Sequence, residues 1–479
     1  MDANGTKASM TSAQRWVLTL VSVASLMVVL DGLVVMTALN TIRIDLGASI
    51  DQLEWTVNAF TLSFAILLMP AAALGDRVGR KRLFLVGLGL FTLASVACAL
   101  APSSGLLITA RATQGIGSAM VMPEAMALLS VAFPPPQRAK ALGVFSSVTG
   151  LGTLGGPLVG GAVTQGLDWQ WIFWLNVPIG LVLIPLAAAR IEESRGAARR
   201  LDFGGLALVT LGAFGLVWGL IRSNAVGWAS LEVSGMLVAG AVLLIAFVLW
   251  ELRVNEPMLP MRFFRSAAFS AGNLSGFLLY AATFGSVFFL AQFLHTTLGY
   301  GPLAAGIRLA PWTAAVFVVS WFAGAMINRI GERPLIVGGL VLQAVGYGWI
   351  SLIAAPDLDY PAMILPFMIA GCGISLAMPA AQNAVIGAVP PAAVGAAAGV
   401  FNTLRQLGGS FGIAILAVVF ATVGSYASPE AFSVGFAPAM AGAAVMSVLG
   451  AIAGLWTPRR REPGTPAPGA AVPVQQARS

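Results

Sequence analysis

The chain has 479 residues, 58% hydrophobic and only 9% charged, and a mean hydropathy of +0.88. Soluble domains carry roughly 25% charged residues, so an ordinary soluble fold is excluded and a polytopic membrane protein is implied. Its 26 Lys+Arg against 19 Asp+Glu give a formal +7, which on so apolar a chain reports topology, and no nucleic-acid partner is expected. Cys98 and Cys372 lie in separate apolar runs and His295 is the only histidine, so neither a disulfide framework, a metal, a cofactor nor a nucleophile-base enzyme site is expected.

Crossing a hydrocarbon core of roughly 30 Å takes about 20 apolar residues. Fourteen such runs are predicted, at 16–37, 53–73, 83–101, 106–129, 141–163, 171–189, 203–221, 231–250, 267–293, 303–327, 335–354, 362–388, 396–423 and 436–456. The first is too long for a secretory signal and lacks a small-residue cleavage site, so it is read as a permanent span. Two Gly-rich runs are candidates for broken or re-entrant helices. The polar ends, 1–13 and 458–479, read as disordered tails.

In chain order, the first span carries Asp31 within Leu30-Asp31-Gly32-Leu33-Val34-Val35. The loop after the second reads Gly75-Asp76-Arg77-Val78-Gly79-Arg80-Lys81-Arg82, one acid among four bases at a tight turn. The fourth contains Arg111, followed by Gln114-Gly115-Ile116-Gly117, and ends with Glu124 beside Pro123. At 1.5 Å per residue, Asp31 and Arg111 both fall some 8 Å inside the same membrane boundary, which makes them partners by depth. They form either a permanent buried salt bridge or a proton-carrying pair. Glu124 lies near the other boundary, as a second coupling acid, a cation recruiter or a solvated helix-end residue.

The fifth span spaces Gly143, Gly152, Gly156-Pro157 and Gly160-Gly161 so that glycines at steps of four make a smooth face for another backbone. Next comes Trp169-Gln170-Trp171-Ile172-Phe173-Trp174-Leu175-Asn176-Val177-Pro178. Spans seven and eight have no acid in their interior, which suits a lipid-facing position. Further on, Arg308, Gln382, Asn402, Arg405 and Gln406 are polar groups that lipid would leave unsatisfied, so a substrate cavity is expected to take them, along with Gln114. Arg405 is open to two readings, a contact with a polar or anionic part of the substrate, or a bond between helices.

With fourteen crossings, bases such as Arg77, Arg80, Lys81, Arg82, Arg190 and Arg195 fall on one side, together with both termini and with Lys7, Arg199, Arg200, Arg459, Arg460, Arg461 and Arg478. Only Arg43 and Arg222 fall on the other, where Asp45, Asp51, Glu54, Asp168, Glu232, Asp357, Asp359 and Glu430 collect. The positive-inside rule makes the basic side, and both termini, cytoplasmic. A shift of 256 residues superposes Gly115, Gly117 and Pro123 on Gly371, Gly373 and Pro379, and Gly143, Gly152 and Gly156 on Gly399, Gly408 and Gly412. Two six-helix halves, 14–190 and 267–457, are therefore expected, with an inserted pair at 203–250.

Two other patterns are dismissed. Gly150-x-Gly152-x-x-Gly155 has the spacing of a dinucleotide fingerprint but no preceding strand, and Gly408-x-Ser410-x-Gly412 that of a nucleophile elbow without a histidine base.

The Asp76 loop resembles the signature loop of the major facilitator superfamily, with Ala72 in place of its first glycine. The Arg111 element resembles another motif of the superfamily, the fifth-span glycines resemble the spacing of its substrate/proton exchangers, and Leu30–Asn40 is similar to the first helix of drug:proton antiporters, while the 169–180 stretch and the Phe401–Gly412 segment resemble the fourteen-span branch. The resemblance covers nearly the whole chain outside the tails. It implies an all-α integral membrane protein of the major facilitator fold, two six-helix bundles plus two inserted central helices. It also implies a conformational charge relay at Asp76, Arg77 and Arg80, degenerate in the second half where Asn328 and Glu332 stand. The glycine helix Gly143, Gly152, Gly156, Pro157, Gly160 and Gly161 marks exchange of substrate for protons. Asp31, Arg111 and Glu124 are then the proton-coupling candidates. The expected activity is export of hydrophobic, cationic drugs or antibiotics from a bacterium by a monomer of the inner membrane, with protons and membrane lipid as its other partners. Export of a lipid-like molecule on the same scaffold, and a non-transporting scaffold, are the alternatives.

Overall fold

The computed structural model describes residues 10–196, 202–255, 257, 259, 261–390 and 393–458. Most of the two tails, and with them Lys7, Arg199, Arg200, Arg459, Arg460, Arg461 and Arg478, lies outside the described residues. Among the described residues all regular structure is helical: α1 Ser12–Leu46, α2 Ile50–Val78, α3 Arg80–Ala99, α4 Ser104–Ala132, α5 Pro135–Gly166, α6 Trp171–Trp174, α7 Asn176–Arg190, α8 Phe203–Val226, α9 Leu231–Glu251, α10 Ala267–Gln292, α11 Pro302–Arg308, α12 Ala310–Ile330, α13 Glu332–Ile353, α14 Pro361–Gly387, α15 Val394–Ala421 and α16 Pro429–Gly454.

Among the described residues thirteen segments are long and apolar enough to span a membrane, and the Gly-rich α5, at 32 residues, is a fourteenth helix of spanning length. The Gly-rich α5 and α15 run unbroken. The interruptions fall instead in crossings six and ten, at Leu175 and Leu309, where Pro178 and Pro311 lack the N–H that the helical ladder needs. At the α2–α3 corner Gly79 takes φ 127°, a conformation that a side chain resists, so this one residue suffices to separate α2 from α3.

Small residues set which helices touch. A side chain at Gly115 would strike Phe60 and Ser63 of α2, and one at Gly371 would strike Trp312 and Ala315 of α12. Gly117 lies against Gly87 and Phe91 of α3, and Gly373 against Gly339 and Gln343 of α13. Gly408 and Gly412 of α15 meet the backbone of Phe277 and Ala281 of α10, as Gly152 and Gly156 of α5 meet Leu26 and Leu33 of α1. At these four pairs the 256-residue offset thus joins positions with equivalent contacts.

Two seams join the early and late helices, α2 against α15 and α5 against α11. Thr61 and Ser410 share a hydrogen bond of 2.7 Å across the first, and Leu303 N–H donates to Gln165 Oε1 at 3.2 Å across the second. The Arg43 guanidinium also covers the Tyr426 ring, 5.2 Å from its centre. The last two contacts lie at the end of the molecule where the acids collect, here the acidic face; the end bearing the α2–α3 corner is the basic face. Helix α8 packs on α9 and on both α2 and α15, covering the first seam, with Trp55, Phe214 and Trp218 in mutual ring contact. Val238, Val242, Ile245 and Leu249 of α9 remain exposed, as a lipid-facing helix requires.

Candidate functional site

Asp31 and Arg111 meet inside the bundle, at 1% and 0% side-chain exposure. Arg111 Nη1 lies 2.5 Å from Asp31 Oδ2. The other carboxylate oxygen accepts from Gln114 Nε2 at 2.9 Å and from Asn176 Nδ2 at 2.7 Å. Gln114 bridges the ions, because its Oε1 accepts from Arg111 Nη1 at 2.7 Å while its Nε2 also donates to Ser95 Oγ at 2.9 Å. Arg111 Nε donates to the Thr56 carbonyl at 3.2 Å, and the Phe60 ring lies 4.2 Å from the guanidinium carbon. Five helices therefore converge on one charge pair: α1 by Asp31, α2 by Thr56, α3 by Ser95, α4 by Arg111 and Gln114, α7 by Asn176. Three donors on one carboxyl suit its ionised form, and protonation would leave part of that set without an acceptor.

Asn176 and Ser95 escape the sequence reading, although Asn176 stands in the quoted 169–180 stretch. The signal was there: an amide at the head of an apolar helix needs a partner inside it. Trp169 of the same stretch donates to Asp45 at 2.7 Å, pinning the loop before α6 to the end of α1.

Glu124 does not join this group. Thirteen residues of helix, roughly 20 Å, separate it from Arg111. It is buried against Gly75, within electrostatic reach of Asp76, Arg80 and Glu193 at the basic face. There Asp76 pairs with Arg80, at 2.7 Å. Arg77 is exposed and takes no part in that pair, because adjacent residues point in different directions whereas residues four apart share a face. Glu193, missed in the sequence, holds the corner: its carboxylate accepts from Lys81 N–H at 3.0 Å and Arg82 N–H at 3.2 Å, the open amides that start α3. Gly196 N–H adds a bond to the Asp76 carbonyl at 3.0 Å. In the second half Glu332 instead accepts from Asn383 at 2.7 Å; the Asn328 side chain lies outside the description.

The α5 glycines divide between two neighbours. Gly152, Gly156 and Gly160 face α1, the helix that carries Asp31, and Gly161 faces Pro302 and Leu303 of α11. Gly143 and Pro157 belong to the same helix. Arg405 donates to the Tyr280 hydroxyl at 3.0 Å, and that hydroxyl donates to Met378 Sδ at 3.1 Å. Half-buried Gln382 and Asn402, and the more enclosed Gln406, belong to α14 and α15. Arg308 sits apart at the α11–α12 break, its guanidinium 3.5 Å from the Tyr300 ring centre and 5.1 Å from that of Tyr360. Ser410, of the false nucleophile elbow, is spent on Thr61.

The family profile of the Major Facilitator Superfamily matches residues 21–413. The chain is 36% identical over 446 residues to the cephamycin export protein CmcT of Amycolatopsis lactamdurans, covering 92% of this chain and 91% of that one. It is 34% identical over 405 residues to the tetracenomycin C resistance and export protein of Streptomyces glaucescens, covering 84% and 75%. With the puromycin resistance protein pur8 of Streptomyces alboniger it shares 36% over 411 residues, covering 84% and 81%. In fold it is similar to a bacterial homologue of the human lysosomal transporter Spinster in an inward-facing conformation, with a TM-score of 0.66 at 17% identity, covering 93% and 97%. A POT family transporter in complex with 5-aminolevulinic acid gives 0.69 at 14%, covering 91% and 94%. The chain is a multi-pass membrane transporter, not an enzyme, and it belongs to the major facilitator superfamily, among relatives named for antibiotic and multidrug export.

Proposed function

We propose that this transporter is a proton-coupled antiporter that exports hydrophobic, cationic drugs or antibiotics from a bacterial cytoplasm by alternating access. The observation that carries the reading is the enclosed Asp31–Arg111 pair, tied to five helices. Charge-assisted hydrogen bonds are worth about 1.5–3 kcal/mol each, so a proton that weakens two of them biases the packing of those helices by about tenfold or more in population. Asp31 is closed to solvent in this state, so a proton reaches it only after the bundle rearranges, which is what coupling demands. The basic face is assigned to the cytoplasm by the positive-inside rule, with 14–190 and 267–457 as the moving halves and 203–250 as an inserted pair. Glu124, Asp76 and Arg80 then act at the cytoplasmic mouth as a conformational contact, separate from the proton carrier. Gln114 serves the proton pair rather than the substrate, and Arg405 with Tyr280, Gln382, Asn402 and Gln406 supplies the polar contacts for cargo; Arg308, held by two tyrosines, braces the acidic face.

Purified transporter in liposomes loaded with a fluorescent cationic dye tests this: an imposed pH gradient drives dye across, and dissipating it with a protonophore stops transport. Dye movement indifferent to the protonophore contradicts proton coupling.

A further inference from the structure

A second buried acid lies at the seam. Glu54, one turn into α2 from the acidic face, is fully enclosed, and among the described residues no donor reaches either carboxylate oxygen. One turn deeper Asn58 is equally enclosed, with both ends of its carboxamide unpartnered among the described residues. A turn further, Thr61 bonds Ser410 of α15. Residues 54, 58 and 61 share one face of α2, and Thr61 shows that this face is turned to the other half.

The groups around Glu54 are specific. Asp51 on its own helix and Tyr426 on the α15–α16 loop lie within electrostatic reach. Tyr426 is hydrogen-bonded to Gln292 of α10 and lies under the Arg43 guanidinium of α1. Arg222 of α8 is engaged by Asp51 at 3.6 Å and Glu232 at 3.1 Å. None of these donates to Glu54. A carboxylate without a donor is heavily penalised in such a place, whereas a carboxylic acid brings its own donor for an acceptor on the same helix face, such as the Asn58 amide. The contrast with Asp31, which holds three donors in the same conformation, sets the two acids apart.

We propose that Glu54 is a proton-binding site of the acidic face, taking a proton from the adjoining bath as the two halves close over it and returning it to that bath when they part. Protonated Glu54 favours the closed acidic face, and the carboxylate favours the open one. Only the identity of that bath as the exterior rests on the export reading.

Cysteines in place of Gln165 and Leu303 report closure at the other seam, where those residues touch. In the full chain reconstituted in liposomes, the yield of the Gln165→Cys/Leu303→Cys disulfide is expected to fall severalfold as the pH at the acidic face is raised. Added Glu54→Gln holds the yield high at every pH, Glu54→Asp keeps the step, and Asp31→Asn keeps it too. A step of parental size in Glu54→Gln overturns the assignment. If Asp31→Asn removes the step and Glu54→Gln does not, the titrating group is Asp31, so the Glu54 assignment falls while the export reading stands. Should Glu54→Gln not fold, the infrared band of the buried carboxylic acid decides: it is displaced in Glu54→Asp, and a band unchanged in that variant overturns the assignment.

Discussion

Arg111 Nη1 stands 2.5 Å from Asp31 Oδ2 although the two residues are 80 positions apart and on different helices. The contact is possible because Gly115 and Gly117 bring α4 against α2 and α3. The α5 glycines meanwhile hold α1 from the other side. Replacing Arg111 by Gln leaves a buried carboxylate without its counter-charge, a loss of about 3–5 kcal/mol if Asp31 stays ionised. The Gln variant is expected to lose export and melt earlier. Lys, which keeps the charge without the planar fork, is expected to fold and to export slowly. Thermal unfolding of the purified proteins with parallel dye efflux checks both.

Asn176 donates 2.7 Å to Asp31 from the first residue of α7. Asn176→Leu keeps the bulk and removes one hydrogen bond to a charged group, about 1.5–3 kcal/mol, so transport is expected to fall by about tenfold or more. An efflux rate equal to wild type would show that α7 is not coupled to the proton site.

Close approach of α5 and α1 predicts a steep size dependence. A methyl on Gly160 would sit 2.8 Å from the Val34 carbonyl, and one on Gly156 2.7 Å from Leu33 Cβ, whereas one on Gly166 meets nothing within 4 Å. Gly160→Ala and Gly156→Ala are each expected to cost about 1–3 kcal/mol through forced backbone shifts, and Gly166→Ala to leave the melting temperature nearly unchanged. Thermal unfolding of the three proteins side by side measures the difference.

Glu193 caps α3 from a distant segment. Glu193→Ala frees two amides at the α2–α3 corner, and lost caps cost about 0.5–2 kcal/mol. The expected result is faster proteolysis at 79–82 with the helical content intact. Cleavage at the wild-type rate would remove Glu193 from the account of the basic face.

The fourteen crossings and the Asp31–Arg111 partnership are legible in the sequence because both follow from one-dimensional quantities, apolar run length and depth along a helix. What the sequence hides is lateral. Depth already puts Glu124 and Arg111 at opposite ends of α4, but which groups surround Glu124, namely Gly75, Asp76, Arg80 and Glu193, only the neighbouring segments reveal. Asn176 completes the carboxylate shell and Ser95 holds Gln114 beside it, from helices whose rotation no periodicity fixes. Glu193 lies in an irregular segment with no pattern to mark it. Arg308 has the same composition signal as Arg405, and the difference is made by Tyr300 and Tyr360, which approach it from loops. Pro178 and Pro311 interrupt crossings six and ten, whereas the glycine-rich helices, expected to break, run unbroken against the neighbours they admit.

The most direct measurement is dye efflux from proteoliposomes under an imposed pH gradient, wild type against Asp31→Asn. The Asn side chain keeps the size of Asp31 and removes the titrating group. Asp31→Asn is expected to bind dye but no longer to move it against its concentration gradient. Uphill transport by Asp31→Asn at the wild-type rate would contradict the central claim.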